Sequence, residues 1–257
     1  MADKNIATVE VGYPPAAQRA ANEPFDYTTI PAGHYDRVYR RRRGVQSKWH
    51  HLKFDRIADL VEGHRRVLDV GCGPGTLLGA LGDDHESVGV DITAPQIDYA
   101  NEVYAAPNRS FYACLLEELP ELPAFDAITA IELIEHLPQE MAEATLQDAV
   151  RRLRPGGKLV VTTPDYGSAW PLVERAVDRL GDVEYYVQHI NKFRPGRLRA
   201  LLEDLGLVDV QVSKYLFAAP FAAIFGWRFA DLVSRAESGF IENRLGLIML
   251  GTATKPE

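Results

Sequence analysis

The nine residues from Val67 to Gly75, VLDVGCGPG, with Asp91 closing the next apolar run, constrain this chain more than any other feature. A strand-like run, Arg66 to Val70, meets a turn that carries Gly71, Gly73 and Gly75. A second strand-like run, Ser87 to Val90, ends on the acid. Strand, glycine turn, helix, strand and acid make a βαβ unit, which belongs in a parallel sheet covered by helices. Glycines let a ligand approach the backbone, and a carboxylate can take two ribose hydroxyls. The plan is that of a nucleoside site, and the turn chemistry bears on which nucleoside.

Dinucleotide sites use G-x-G-x-x-G and place a pyrophosphate on the following helix N-terminus. Here the spacing is G-x-G-x-G, and Thr76 stands where the third dinucleotide glycine would fall. Pro74 stiffens the turn and removes an amide donor. A turn short of donors suits a ligand without phosphate, such as S-adenosyl-L-methionine (SAM). The stretch resembles the first motif of class I SAM-dependent methyltransferases of the type 11/12 kind. That resemblance implies Asp91 as the ribose-binding acid and Asp69 as the acid that helps hold the methionyl end. It implies Gly71, Cys72, Gly73 and Gly75, with the backbone around Ile92 and Ile131, as the remainder of the cofactor site. A nicotinamide enzyme and a strand-turn-helix with incidental glycines are the competing readings.

A chain of 257 residues holds one domain with additions, or two small ones. The net charge of −8 gives no global field to gather nucleic acid. Cys72 and Cys114 make no disulfide framework, so a reducing compartment fits, and Cys72 reads as a small turn residue rather than a nucleophile. The first residues, MADKNIATVE, have no apolar segment of the secretory kind, and a cytoplasmic location is expected. The longest apolar stretch, Tyr215 to Trp227, is interrupted by Pro220 and Gly226 and falls short of the roughly twenty residues that span a bilayer. It reads as a buried element of an inserted subdomain, as a lid over an apolar substrate, or as a peripheral membrane contact through 215–227. The residues carry no signal for oligomeric state.

Residues 1–45 read as an N-terminal arm and lid, with Pro14, Pro15, Pro24 and Pro31 in the arm, and 46–257 as the SAM-binding domain. From Val45 to Glu62 an apolar stripe of Trp49, Leu52, Ile57, Leu60 and Val61 predicts a helix. Strands at Arg66–Val70, Ser87–Asp91, Ser110–Ala113, Phe125–Ile131 and Lys158–Thr163 then alternate with helices at Thr76–Leu81, Ala94–Ala105 and Gln139–Leu153. Arg154-Pro155-Gly156-Gly157 reads as the reversal that ends a helix and starts the fifth strand. Helix Pro195–Leu205, a strand from Leu207, an inserted cap segment at 215–243 and a last strand, Leu245–Thr254, complete the pattern. The fold expected is α/β and doubly wound. By resemblance it has seven mostly parallel strands in the order 3-2-1-4-5-7-6, an N-terminal helical cap and an insertion before the last strand.

Glu132, Glu135 and His136 follow the fourth strand at i, i+3, i+4, where one turn of helix would put them on one side. Two carboxylates and an imidazole suit a divalent metal or a general base. The E-x-x-E-H segment is similar to those of quinone-biosynthesis O-methyltransferases and small-RNA 2′-O-methyltransferases. In both groups such residues hold magnesium or a like ion, and in the RNA group a further histidine joins them. By that resemblance His136 and His189 are the catalytic candidates, and Glu132, Glu135 and His136 the metal candidates. Lys53 falls near the basic residue that the quinone enzymes place against the methionine carboxylate. Relatives carry an acid after the third strand, near the adenine; Leu115 stands there in this chain, which leaves Glu117 as the nearest carboxylate. Arg40 to Arg43 could touch phosphate, or form a solvated helix face.

The leading expectation is SAM-dependent O-methylation of a small or lipid-like acceptor such as a quinone, polyketide or lipid-linked sugar. RNA 2′-O-methylation with metal assistance is second, and a non-catalytic interaction module third.

Overall fold

The computed structural model describes residues 29–180 and 188–257. Two helices lead, α1 (His34–Arg40) and α2 (Gly44–Val61). The alternating core follows: β1 (Arg66–Val70), α3 (Thr76–Leu81), β2 (Glu86–Asp91), α4 (Ala94–Tyr104), β3 (Arg109–Ala113), β4 (Phe125–Ile131), α5 (Gln139–Arg152), β5 (Leu153–Pro164). After α6 (Trp170–Leu180) come α7 (Pro195–Asp204) and β6 (Val208–Tyr215). Three helices, α8 (Ala219–Ala222), α9 (Trp227–Glu237) and α10 (Phe240–Leu245), then precede β7 (Ile248–Thr254). The sheet order is β3-β2-β1-β4-β5-β7-β6, with β7 antiparallel to both neighbours and the other pairings parallel.

The inner strands are apolar at nearly every position because both faces of the sheet are covered. In β1, Leu68 and Val70 face a core built with Leu146 of α5 and Leu198 and Leu202 of α7. Val67 points the other way, into a cluster with Leu78 of α3 and Ile97 of α4. Leu146 and Leu198 are fully buried, so truncation of either to alanine costs about 2–5 kcal/mol.

Two boundaries differ by more than one residue from the sequence reading. The fifth strand begins directly at Leu153, and its pairing with β4 breaks register between Phe125 and Ala127. Arg154 to Gly157 therefore form the bulged start of a strand, tied down by Gly156 N–H to the Lys255 carbonyl and Lys255 N–H to the Gly157 carbonyl, both 2.9 Å. The last strand starts at Ile248 rather than Leu245, because 240–245 close as a helix whose Glu242 carbonyl accepts Gly246 N–H at 2.7 Å.

The first helix is pinned to the core chiefly through one acid. Asp36, fully buried on α1, accepts hydrogen bonds from Thr76 Oγ1 (3.1 Å), Tyr99 (2.7 Å) and Tyr104, and pairs with Arg40 Nε at 2.7 Å. Gln96 adds a bond from Gly33 N–H at 3.0 Å. The segment 1–45 expected as arm and lid is described only from residue 29 onward.

Candidate active site

The register aligns Val70 with Val90 on one side and with Ala130 on the other, so Gly71, Asp91 and Ile131 emerge level at three neighbouring strand ends. In open α/β sheets, ligands bind outside these carboxyl ends. Gly71 has φ 72°, and a Cβ there would lie 2.8 Å from Leu133, so only glycine fits. Gly73, at φ 50°, is the opposite case: a Cβ would meet nothing within 4 Å, which leaves its backbone open to a ligand. Asp91 knits the turn to the second strand, accepting Gly73 N–H at 2.9 Å and Thr93 N–H at 2.8 Å. Burial pushes its pKa up, opposed by those two amides. Beside it, Ile92 exposes 55% of its surface, an apolar residue out of water's favour where an aromatic ring could stack.

Asp69 lies beneath the turn, buried, and accepts from Thr129 Oγ1 at 2.6 Å. Burial, with the Asp91 charge nearby, raises its pKa to about 7. The Cys72 thiol is buried and pushed well above its usual range by that burial, which makes it inert as a nucleophile. Glu117 sits exposed on a short 3-10 turn, Leu116–Glu118, at the edge of the site. Its neighbour Glu118 is the carboxylate that folds back, accepting Leu115 N–H at 2.9 Å.

After β4 the chain does not form one helical face. Glu132 takes a left-handed φ of 51°, and its amide donates to Thr162 O at 3.0 Å. Its carboxylate turns to the ammonium of Lys53 on α2. Burial opposes ionisation of Glu132, but the charge and hydrogen bond of Lys53 outweigh it and hold the carboxyl below its usual range. Losing either partner would strand a buried charge, at about 3–5 kcal/mol. His50, one turn before Lys53, is lowered to about 3 by burial and by that lysine. His51 stacks on Tyr39 at 4.0 Å and has a packing role.

Glu132 is thus paired with Lys53, and among the described residues it is His189 that gathers with Glu135 and His136. One ligand atom each from Glu135, His136 and His189 lies within 4.8 Å of the others. Glu135 is fully buried, neither carboxylate oxygen meets a well-aligned hydrogen-bond partner among the described residues, and burial raises its pKa to about 7 although His189 and the Thr163 hydroxyl pull it down. The His136 Nδ1–H reaches the Gln188 carbonyl at 3.2 Å, and burial with the neighbouring His189 lowers its pKa to about 4. The two rings stand 4.9 Å apart.

His189 is oriented by two residues that carry no sequence signal. Its Nδ1 donates to Glu174 Oε1 at 2.7 Å, and the Tyr166 hydroxyl donates to the same oxygen at 2.7 Å. Burial alone would lower the His189 pKa; the Glu174 bond and surrounding carboxylates overcome it and raise the value. In sequence Glu174 is one of several charges in WPLVERAVDRL, indistinguishable from a solvated helix face. Of the arginine run, Arg40 is committed to Asp36 rather than to a partner outside the protein. Two surface clefts of about 330 and 350 Å³ contain no residue of the glycine turn.

Comparison with known proteins identifies the family to which this fold belongs. A methyltransferase domain family matches residues 39–212. Ubiquinone biosynthesis O-methyltransferase from Idiomarina loihiensis is 30% identical over 161 residues, spanning 60% of this chain and 65% of that protein. The mitochondrial enzyme of the same name from Mus musculus is 31% identical over 176 residues, 63% of this chain and 46% of that protein. The chain therefore spans about half to two thirds of these relatives. Among solved structures, a SAM-dependent methyltransferase from Thermotoga maritima, described as a possible histamine N-methyltransferase, aligns over 87% of this chain and 95% of its own, with TM-score 0.62 and 19% identity. Magnesium protoporphyrin IX methyltransferase from Synechocystis PCC 6803 with bound SAH covers 90% and 100%, with TM-score 0.59 and 17% identity. With two thirds of its length inside that domain and the strand order 3-2-1-4-5-7-6, the chain belongs to the methyltransferase domain family, within the class I SAM-dependent methyltransferases.

Proposed function

We propose that the chain methylates a hydroxyl on a quinone-like or other lipid-like small molecule. The observation that carries this reading is the buried Glu174–His189 pair next to His136, a base with its own orienting carboxylate beside the cofactor end of the sheet. The names of the ubiquinone-pathway relatives support a quinone-like acceptor.

SAM fits the residues present: the open backbone at Gly73, the Asp91 carboxylate for two ribose hydroxyls, and exposed Ile92 for the adenine face. Asp69 and Lys53 would serve the methionyl end, Lys53 by exchanging part of its bond to Glu132. When bound, SAM supplies a methyl already activated by positive sulfur. The protein's part is to orient the acceptor, exclude water and take its proton. In its neutral form, with the proton on Nδ1, His189 accepts the hydroxyl proton at Nε2, and Glu174 stabilises the imidazolium that results. His136 flanks it as a neutral imidazole.

A second reading uses Glu135, His136 and His189 as ligands to a divalent ion, and the orphaned Glu135 carboxylate favours it. One carboxylate with two imidazoles suits zinc or iron better than magnesium. Bound there, an ion would lower the pKa of an acceptor hydroxyl.

The test is transfer of labelled methyl from SAM to catechol-type quinone precursors, with and without excess chelator. Transfer to oxygen that persists in chelator supports the base reading. Loss restored by one metal favours the second, and transfer to nitrogen or carbon alone would refute both.

A further inference from the structure

The insertion before β7 sorts its charges. Residues 224–245 contain three acids, and each is engaged by the body of the protein. Asp231 pairs with Lys48, Glu242 pairs with Arg56 at 2.9 Å, and buried Glu237 accepts the amides of Ala218 (2.9 Å) and Ala219 (3.1 Å). The same stretch turns its arginines, Arg228, Arg235 and Arg244, to solvent. The same stretch also exposes apolar side chains that soluble proteins usually cover: Phe225 (76% exposed), Phe229 (47%), Leu232 (60%) and Phe240 (79%). On α9, positions 228, 229, 232 and 235 recur at helical spacing and share one face. Phe225 and Phe229 touch edge to face at 6.2 Å, which extends that face beyond the helix.

The contact differs from the one read in the sequence. Most of 215–223 is buried, Tyr215 and Leu216 almost fully, so only the end of the apolar stretch reaches the surface. Among the described residues, no helix is long and apolar enough to cross a membrane. An aromatic face bordered by arginines and cleared of unpaired acid is the pattern of an element lying in a lipid interface. A second copy of this chain is a poor occupant, because it would set arginine against arginine. In a chain of net charge −8, such a face removes the repulsion that an anionic surface would otherwise meet.

We propose that the face formed by α9 and α10 docks on an anionic lipid bilayer, its phenylalanines among the acyl chains and Arg228, Arg235 and Arg244 at the phosphates. The proposal is independent of the methyl acceptor. Each arginine near such a surface contributes roughly fivefold in partitioning, and the three together on the order of a hundredfold.

The experiment is sedimentation of the full chain with phosphatidylcholine vesicles, with and without phosphatidylglycerol. The expected result is binding to the anionic vesicles alone, weakened by salt. Arg228→Gln/Arg235→Gln/Arg244→Gln should lose on the order of a hundredfold, and Phe225→Ser/Phe229→Ser about tenfold or more. SAM affinity, measured by calorimetry, should stay at the wild-type value in both variants, which separates docking from folding. Equal binding to neutral and anionic vesicles, or binding indifferent to both variants, would overturn the proposal. So would a wild-type dimer that the phenylalanine variant dissolves, since the occupant would then be a second copy.

Discussion

Asp69 places a measurable strain on the fold. It is 3% exposed, and its pKa stands near 7 against 3.8 for the free side chain. Between those values the folded protein holds a proton that the unfolded chain has released, so stability falls as pH rises through the window and levels off above it. The penalty is about 4 kcal/mol above pH 7 and about 1.5 kcal/mol at pH 5. Asp69→Asn keeps an acceptor oxygen for Thr129 and removes the titration. In urea unfolding, the variant's advantage over wild type should therefore widen by about 3 kcal/mol from pH 5 to pH 8. A gap that is constant across that range would refute the argument. The same variant should bind SAM more weakly, since natural sites often trade stability for a charged group in place.

Asp91→Ala should weaken SAM binding by about a hundredfold or more in calorimetry, because two charge-assisted bonds to the ribose vanish; wild-type affinity would remove the ribose assignment. Glu174→Gln should lower turnover about a hundredfold while leaving SAM affinity intact. Its acid limb of turnover against pH should move to lower pH, because the bond that raises the His189 pKa is lost; an unmoved limb would reduce Glu174 to packing. Asp36→Ala strands the donors of Thr76, Tyr99 and Tyr104, and should cost about 2–4 kcal/mol in thermal or urea unfolding; a change below about 0.5 kcal/mol would show that the first helix is held by other contacts.

The inner strands were readable from residues because they are buried on both faces, which writes them as short continuous apolar runs. Gly71, Gly73 and Asp91 were readable because each meets a local demand: a left-handed turn, an open backbone, a carboxylate at a strand end. The backbone at Glu132 was misread because helical spacing presumes helical backbone, and its φ of 51° sends the carboxylate to a lysine on α2, 79 residues away. Asp36 and Glu174 were invisible for a related reason. An acid becomes structural when another element covers it, and neither the tyrosines of α4 nor His189 lies close enough in sequence to announce the contact. The bulge at Arg154 to Gly157 was missed because its partner is the very end of the chain.

The placement of β7 gives the order of synthesis a physical consequence. β7 is made after the strands on either side of it yet fills an interior slot, and β6, made before it, pairs with no other strand of the described sheet. While a ribosome is still extending the chain, β1 to β5 can assemble, but β5 shows an unpaired edge and β6 waits alone. Pairings this distant form slowly, and exposed edges invite association between chains. Nascent molecules stalled a few residues short of Ile248 should therefore be the ones that chaperones retain.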